Sequence, residues 1–204
     1  MTGKTVLSRK MKRAMTGTFS ALALTGSLVL AMPMQLQAAG GAYIPSRGQA
    51  SAPPGAHGLC GIYSWACSGR GGASVVSAQQ MSTIRAVNSQ LNRAIRPVED
   101  VQQYGMREFW SMPTARGGDC EDYVLAKKHA LIRQGINPAN LLIATVLDRK
   151  RNPHAVLVVR SAQGDLVLDN VTNQIRSWRA TRYVFLRMQD PNSPSRWMNV
   201  SAGG

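Results

Sequence analysis

The chain has 204 residues, and its 24 lysines and arginines against 10 aspartates and glutamates give a formal net charge of +14. This length allows one compact domain with some additional chain, and a domain of that size buries enough apolar surface to exclude a small disulfide or zinc scaffold. Apolar residues make up 44% of the sequence, which excludes a mainly disordered protein.

Residues 1–38 have the composition of a secretory signal peptide. The first part contains no acidic residue and five basic residues: Lys4, Arg9, Lys10, Lys12 and Arg13. An uncharged apolar stretch, FSALALTGSLVLAM, ends at Met32, and the small residues Ala38 and Ala39 suit a cleavage site. This stretch is short for a membrane span, so we expect a periplasmic or secreted protein without stable membrane insertion. An uncleaved N-terminal anchor is the alternative.

The basic charge that remains without the leader is spread along the chain. Nineteen basic and 10 acidic residues are left, and no run combines basic with aromatic side chains. Scattered positive charge is typical of a solvated surface near the anionic polymers of a cell envelope, whereas a nucleic-acid binder concentrates it on one recognition element. We therefore expect no nucleic-acid partner.

The three cysteines occur in two different settings. Cys60 and Cys67 lie seven residues apart within residues 39–74, a segment rich in Gly, Pro and Ser that we expect to form a loosely structured lead-in. Since an oxidising compartment permits disulfides, this short spacing predicts a Cys60–Cys67 bridge. Cys120 is then left as a free thiol, which is either a reactive group or a buried inert side chain.

Two helices are predicted in the expected main domain, residues 75–204. Apolar residues recur at helical spacing over residues 77–95, and Pro97 stops this helix. The second helix follows Asp119, which is a natural N-cap, and ends at Gly135. The passage between the two helices is expected to be loop.

Short segments rich in β-branched residues follow the second helix and predict an antiparallel sheet. The four predicted strands cover residues 141–147, 154–160, 165–170 and 183–188. The order of helices followed by strands indicates an α+β fold, in which the helices pack against the sheet.

Cys120, His154 and Asp169 are the residues that suggest catalysis. Cys120 lies in the first turn of the second helix, where free amide groups and the helix dipole stabilise a thiolate. Gly117 and Gly118 allow a sharp turn before it and a close approach of substrate to the backbone. His154 begins one predicted strand and the carboxylate ends the next, so the imidazole could take the thiol proton while the carboxylate orients the ring.

The segments GGDCEDYVLAK, HAVLVV and GDLVLDN together resemble the bacterial transglutaminase-like cysteine peptidases, the family of the LapG-like periplasmic proteases. The resemblance extends over roughly residues 58–199. It implies a papain-like transglutaminase core with N-terminal helices packed on an antiparallel β-sheet. It also implies a thiol-dependent attack on an amide by a triad of Cys120, His154 and Asp169.

By the same resemblance, some family members depend on calcium, which acidic residues beside the nucleophile bind. These positions match Asp119 and Glu121, with Asp122 as a third candidate ligand, so Ca²⁺ is the candidate cofactor. The alternative is that Asp119 caps the helix while the other two acids complement its dipole. Trp110 is a candidate wall of the substrate cleft, and a core position is the alternative for this side chain.

The expected function is that of an exported cysteine peptidase, which cleaves a protein substrate of the cell envelope through a thioester acyl-enzyme. Acyl transfer from a protein glutamine to an amine uses the same residues and differs only in what attacks the thioester. A non-catalytic binding module on the same fold is a third alternative, disfavoured because all three triad residue types are present. The sequence identifies neither the substrate nor the oligomeric state.

Overall fold

The computed structural model describes residues 42–69 and 72–203, with side chains up to residue 200. The predicted signal peptide lies outside the described residues. Seven strands form an antiparallel sheet in the order β1-β7-β6-β2-β3-β4-β5. They are β1 Gln49–Ala50, β2 Leu141–Leu147, β3 Pro153–Ser161, β4 Gly164–Leu168, β5 Arg176–Ser177, β6 Val184–Asp190 and β7 Ser193–Gly203.

Five α-helices and two short 3-10 helices accompany the sheet in this part of the chain. The α-helices are α1 Leu59–Ile62, α2 Ala78–Ala94, α3 Asp100–Tyr104, α4 Cys120–Arg133 and α5 Trp178–Thr181, and the 3-10 helices are Ser64–Cys67 and Pro138–Asn140. This architecture confirms the predicted combination of helices with an antiparallel sheet. No helix within the described ranges is long and apolar enough to cross a membrane.

Both faces of the central strands are buried, as the alternation of side chains along β2 shows. Leu141 and Ile143 pack into one core together with residues of α2 and α4. Leu142 and Ala144 point to the opposite face, where Trp178 of α5 belongs to a second core. Because successive strand residues face opposite sides, a central strand covered on both faces is mainly apolar, as LLIATVL is apart from Thr145.

Helix α2 begins where its sequence supplies a complete N-terminal cap. The Ser77 hydroxyl accepts a hydrogen bond from the Gln80 amide over 3.1 Å, and the Gln80 side chain accepts one from the Ser77 amide over 2.9 Å. This reciprocal capping box satisfies two backbone donors that a helix start otherwise leaves free. Ile84 and Val87 are buried on the inner face, so the predicted helix is confirmed.

Two glycines set the start of α4. Gly117 has a φ of +125°, and a Cβ there would lie 2.0 Å from the carbonyl oxygen of Arg96. A Cβ on Gly118 would lie 2.4 Å from an Asp122 side-chain oxygen. The first glycine therefore permits the predicted sharp turn, while the second allows close packing against the helix that follows. These contacts fix where Cys120 emerges from the helix.

The predicted lead-in is more ordered than its composition indicates. Strand β1 pairs with β7, helix α1 follows, and Cys60 and Cys67 form the predicted disulfide. Ala56, Leu59 and Ala66 are buried in the same core as α2 and α4. Small residues allow this segment to lie close to the sheet, which is why a sequence rich in glycine and proline still packs.

Two further elements differ from the prediction. The passage between the main helices, expected as loop, contains the short helix α3. Strand β7 follows β6 after a tight turn and pairs with both β6 and β1, although no strand was predicted beyond residue 188. Its sequence, SPSRWMNVSAG, is polar and includes a proline, so it lacks the β-branched run that identified the other strands.

Two consecutive lysines lie inside the protein on α4. Lys127 and Lys128 are 1% and 0% exposed. The Lys128 ammonium donates a hydrogen bond to the side-chain oxygen of Gln189 over 2.7 Å, and the Ile143 amide also donates to this oxygen. Burial disfavours the charged form and lowers the pKa of each lysine to about 7.

These lysines predict that the protein becomes more stable as the pH rises. The lysine pKa is about 7 in the folded protein and about 10.4 in an unfolded chain. Between these two pH values the unfolded chain binds more protons than the folded protein. The free energy of unfolding therefore increases with pH over this range. Lys128→Met should stabilise the protein by about 1–2 kcal/mol at pH 7 and flatten this increase. Urea unfolding at pH 7 and 9.5 measures both effects. The exposed Lys150→Met is the control, and an unchanged pH slope in Lys128→Met would contradict the prediction.

Candidate active site

Cys120 is the first residue of α4 and lies against the start of β3. The backbone N–H of Ala155, the third residue of β3, lies close enough to the Cys120 sulfur to lower its pKa, although burial and Glu121 outweigh this effect. The thiol is partly exposed and is not part of a disulfide. The end of helix α4 that carries the sulfur is therefore held beside the strand that carries His154.

His154 and Asp169 meet at the neighbouring ends of β3 and β4. The Nε2 atom of His154 lies 2.9 Å from Oδ1 of Asp169. The antiparallel pairing of Leu157 with Leu168 explains this contact, because it places the beginning of β3 next to the residue that follows β4. Since Nε2 faces the carboxylate, the other ring nitrogen, Nδ1, is the one left for a thiol.

Tyr183 is a residue of this site that sequence reasoning missed. Its hydroxyl donates a hydrogen bond to Oδ2 of Asp169 over 2.7 Å, and its ring lies edge-on to the His154 ring with 5.9 Å between centroids. Burial would raise the pKa of Asp169, but the hydrogen bonds from His154 and Tyr183 outweigh it and hold the pKa below its ordinary value. Asp169 therefore remains ionised while it is 3% exposed.

Helix α2 holds the loop that follows Asp169. The side-chain amide of Asn92 donates to the backbone oxygen of Asp169 over 2.9 Å and to that of Thr172 over 3.2 Å. The amide of Val171 in turn donates to Oδ1 of Asp169 over 3.2 Å. Both the backbone and the carboxylate of Asp169 are thus fixed by contacts outside the sheet. No local signal in the sequence identified Asn92 for this role.

Cys120 and His154 line the same cleft, which has a volume of about 540 Å³. Trp110 also lines it, although the side chain is only 5% exposed and packs edge-on against Trp197. Both interpretations of Trp110 therefore describe one side chain, which belongs to the core and forms part of the cleft wall.

Three carboxylates beside Cys120 form the strongest candidate cation site. One oxygen from each of Asp100, Asp119 and Glu121 lies within 4.8 Å of the others. Asp119 occupies the N-cap position of α4, but its side chain forms no capping hydrogen bond. Its Oδ2 instead accepts a hydrogen bond from the Asp100 amide over 3.3 Å, and its Oδ1 is buried without a partner among the described residues. The capping alternative for Asp119 is therefore wrong.

Asp122, a candidate ligand in the sequence, is not part of this cluster. Its Oδ1 accepts a hydrogen bond from the Ser111 amide over 3.0 Å, and the residue is fully buried. Burial, together with the charges of Asp119 and Asp100, raises the pKa of Asp122 to about 7. Asp100 takes its place in the cluster because α3, which was expected to be loop, brings that residue back to the start of α4.

One protein-family model matches most of the chain. Residues 46–204 match the family model described as bacterial transglutaminase-like cysteine proteinase. The chain belongs to this family. It is therefore a cysteine peptidase with a transglutaminase-like fold, as the sequence predicts. No curated protein sequence matches this cysteine peptidase.

One solved structure supports the same fold, and two others are less similar. The structure of calcium-bound LapG from Legionella pneumophila matches with a TM-score of 0.51 and 20% identity, over 61% of this peptidase and 71% of that chain. A second LapG structure from L. pneumophila and an EGTA-treated one each match with a TM-score of 0.47 and 21% identity, over 54% of this chain. The aligned parts cover 65% and 63% of those two chains.

The acidic residues beside Cys120 oppose the ionised state of its thiol. Burial raises the pKa of Cys120 well above its ordinary value, and the Glu121 carboxylate, 3.0 Å from the sulfur, raises it further. Burial and the charge of Asp119 in turn raise the pKa of Glu121. The thiolate that a helix N-terminus would favour is therefore disfavoured in this peptidase while the carboxylates carry no compensating cation.

Tyr183→Phe is expected to lower kcat for peptide cleavage about 3- to 10-fold while KM stays nearly constant. The phenylalanine keeps the ring against His154 but leaves Oδ2 of Asp169 without its donor, so the carboxylate becomes less well oriented. Steady-state kinetics on a fluorogenic peptide, with melting temperature as a check on folding, measure this. The buried Tyr123→Phe serves as a control, because its hydroxyl donates to Ile95 outside the cleft. Equal losses in both variants would contradict a positioning role.

Proposed function

We propose that this peptidase is exported and cleaves a protein substrate in the cell envelope, with Cys120 as nucleophile, His154 as general acid and base, and Asp169 as the group that orients the imidazole. One observation carries the proposal: the His154–Asp169 pair, 2.9 Å apart, opens onto the cleft that Cys120 also lines. We assign the main catalytic domain to residues 75–204, and the core membership of Ala56, Leu59 and Ala66 supports a contribution from the preceding segment, residues 39–74.

The reaction follows from these positions. His154 takes the thiol proton, and the sulfur attacks the scissile carbonyl carbon to form a C–S bond. The imidazolium then donates that proton to the leaving nitrogen as the C–N bond breaks, which leaves a thioester on Cys120. Water, deprotonated by the same imidazole, attacks the thioester and regenerates the thiol. The amide N–H of Cys120 is one donor for the negative charge on the carbonyl oxygen.

Calcium fits the cluster of Asp100, Asp119 and Glu121. Carboxylate oxygens are the ligands that Ca²⁺ prefers, and the buried Oδ1 of Asp119 lacks any other partner among the described residues. A calcium-bound structure with the same fold supports this assignment. When bound, the cation would neutralise the carboxylates that oppose the Cys120 thiolate. The chain's own contribution is to hold Glu121 next to the sulfur, so that metal binding and thiol ionisation are linked.

Asp119→Asn and Asp100→Asn are each expected to weaken calcium binding at least about 10-fold, because each removes a charged ligand. Asp122→Asn is the matched control on the same helix turn and should bind calcium as the wild type does. Titration calorimetry measures the affinity directly, without reference to activity. Since raised pKa values keep protons on the free carboxylates, binding should release protons and strengthen as pH rises from 6 to 8. A loss confined to Asp122→Asn would contradict the assignment.

Export is supported by two features. Residues 1–38 have the pattern of a signal peptide, and the Cys60–Cys67 disulfide suits an oxidising compartment. We therefore propose a periplasmic or secreted location.

The decisive experiment compares secreted and envelope proteins of wild-type and Cys120→Ser cells by mass spectrometry. A protein that appears as a new fragment only in the wild type supports the peptidase and identifies its substrate. A fluorescent amine that becomes attached to envelope proteins would instead indicate acyl transfer. Identical profiles, with Cys120 unreactive toward iodoacetamide in the folded protein, would favour a binding module and overturn the proposal.

A further inference from the structure

A β-bulge in strand β6 shapes one wall of the cleft. Thr145 of β2 pairs with Arg187, but the next residue, Val146, pairs with Phe185, so Leu186 is an extra residue without a partner. The pairing of β6 with β7 shifts at the same point. Successive strand residues normally face opposite sides of a sheet, and a bulge changes the direction in which one side chain points. Here both Leu186 and Arg187 line the cleft with Cys120.

Arg187 brings an uncompensated positive charge to this wall. The residue is half-buried, and its side chain makes no hydrogen bond or ion pair with any other described residue. Two acidic residues line the same cleft, and neither forms an ion pair with Arg187: the Glu108 carboxylate accepts a hydrogen bond from the Trp110 indole, and Glu121 belongs to the acidic cluster. A partly desolvated guanidinium without an ion-pair partner in a substrate cleft is suited to bind a carboxylate of the ligand.

The adjacent end of the sheet is also positively charged. Leu147, the last residue of β2, pairs with the first residues of both β3 and β6, so the turn between β2 and β3 lies beside the start of β6. That turn exposes three consecutive basic residues, and Arg182 before β6 is exposed as well: Arg149, Lys150, Arg151 and Arg182. The one acid of the turn, Asp148, already accepts hydrogen bonds from the amides of Lys150 and Asn152. This concentration of positive charge attracts an anionic partner to this end of the sheet.

We infer that Arg187, placed by the bulge at Leu186, is a specificity-determining residue that binds the carboxylate of an acidic side chain close to the scissile bond of the substrate. The inference rests on the proposed peptidase function and adds the chemical class of the substrate sequence. Leu186, which is 37% exposed, offers an apolar surface beside the charge. The turn 149–151 and Arg182 extend the same preference to acidic residues farther along the substrate.

The test is digestion of a peptide library, prepared from whole-cell protein and amidated at its C termini, by the full-length enzyme in calcium-containing buffer. Sequencing of the products gives the residues on both sides of each cut. We expect Asp and Glu to be enriched at one fixed position in the wild type. Amidation removes terminal carboxylates, so enrichment has to come from internal acidic side chains. Arg187→Glu should replace this enrichment by Lys and Arg, and Arg133→Glu, at the far end of α4, should leave it unchanged.

Kinetics on one preferred peptide separate recognition from catalysis. Arg187→Gln should raise KM about 10- to 100-fold while kcat changes less than about 3-fold, and Arg187→Lys should recover part of the loss. Replacement of the acidic residue in the peptide by its amide should raise KM for the wild type and not for Arg187→Gln. Cleavage without any acidic preference, or a preference that persists in Arg187→Glu, would overturn this inference alone. If the wild type yields no fragments beyond those of Cys120→Ser, the proposed function fails and the inference fails with it.

Discussion

Replacement of Cys120 by serine is expected to lower kcat/KM for peptide cleavage by roughly 1,000-fold or more, with little effect on stability. A hydroxyl is a much weaker nucleophile than a thiolate. Serine is close in size to cysteine, so the backbone contact with Ala155 and the packing of α4 on β3 should persist. Rates on a fluorogenic peptide and thermal melting measure the two properties separately.

Chemical labelling provides a second readout for the same residue. Iodoacetamide should label one thiol of the folded protein, and this label should disappear in Cys120→Ser because the other two cysteines form a disulfide. Labelling should be faster in calcium than in EDTA, since burial and Glu121 raise the pKa of the Cys120 thiol in the absence of a cation. Activity that persists in Cys120→Ser would remove this sulfur from the mechanism.

Asp169→Asn is expected to lower kcat by roughly 1,000- to 10,000-fold. The substitution keeps the shape of the side chain but removes the negative charge that stabilises the imidazolium of His154, 2.9 Å away. Substrate binding should change little, because Asp169 does not line the main cleft. Steady-state kinetics in calcium-containing buffer measure the loss and show whether it lies in kcat or in KM.

Asp165→Asn is the matched control for this prediction. Asp165 lies on the same strand, β4, is also buried, and pairs with Arg160 away from the cleft over 2.8 Å. Its substitution should destabilise the protein without a large change in kcat. If the two variants lost activity in parallel with stability, the effect of Asp169→Asn would come from the fold and not from the charge on the imidazole.

The elements that carry Cys120, His154 and Asp169 could be predicted because each has a strong local signal. Two glycines and three acids mark the start of α4, and β-branched runs with short turns mark β3 and β4. Antiparallel pairing then brings the ends of adjacent strands together without any knowledge of the remaining fold. The disulfide was predictable for the same reason, since its partners are near in sequence.

The residues that could not be predicted depend on contacts between distant segments. Asp100 joins Asp119 only because the 99–118 passage folds back on itself, and Tyr183, which precedes β6, reaches Asp169 after β4 although β2 and β3 lie between those strands. The bulge at Leu186 depends on a mismatch among three strands. Lys127 and Lys128 would be assigned to a solvated helix face by their charge, yet both are buried. Such features arise from tertiary packing, which overrides local propensity.

The division of the site between a helix and a sheet has a consequence for the life of the protein. The sulfur comes from α4, whereas the imidazole and its carboxylate come from β3 and the residue after β4, and Asn92 of α2 holds that residue in place. If the proposed export takes the chain across the membrane unfolded, these groups are far apart during transit and the nascent enzyme is inert toward its neighbours. Under the proposed function, proteolysis can begin only at the destination, when both layers have docked and the disulfide-bearing segment has closed against them.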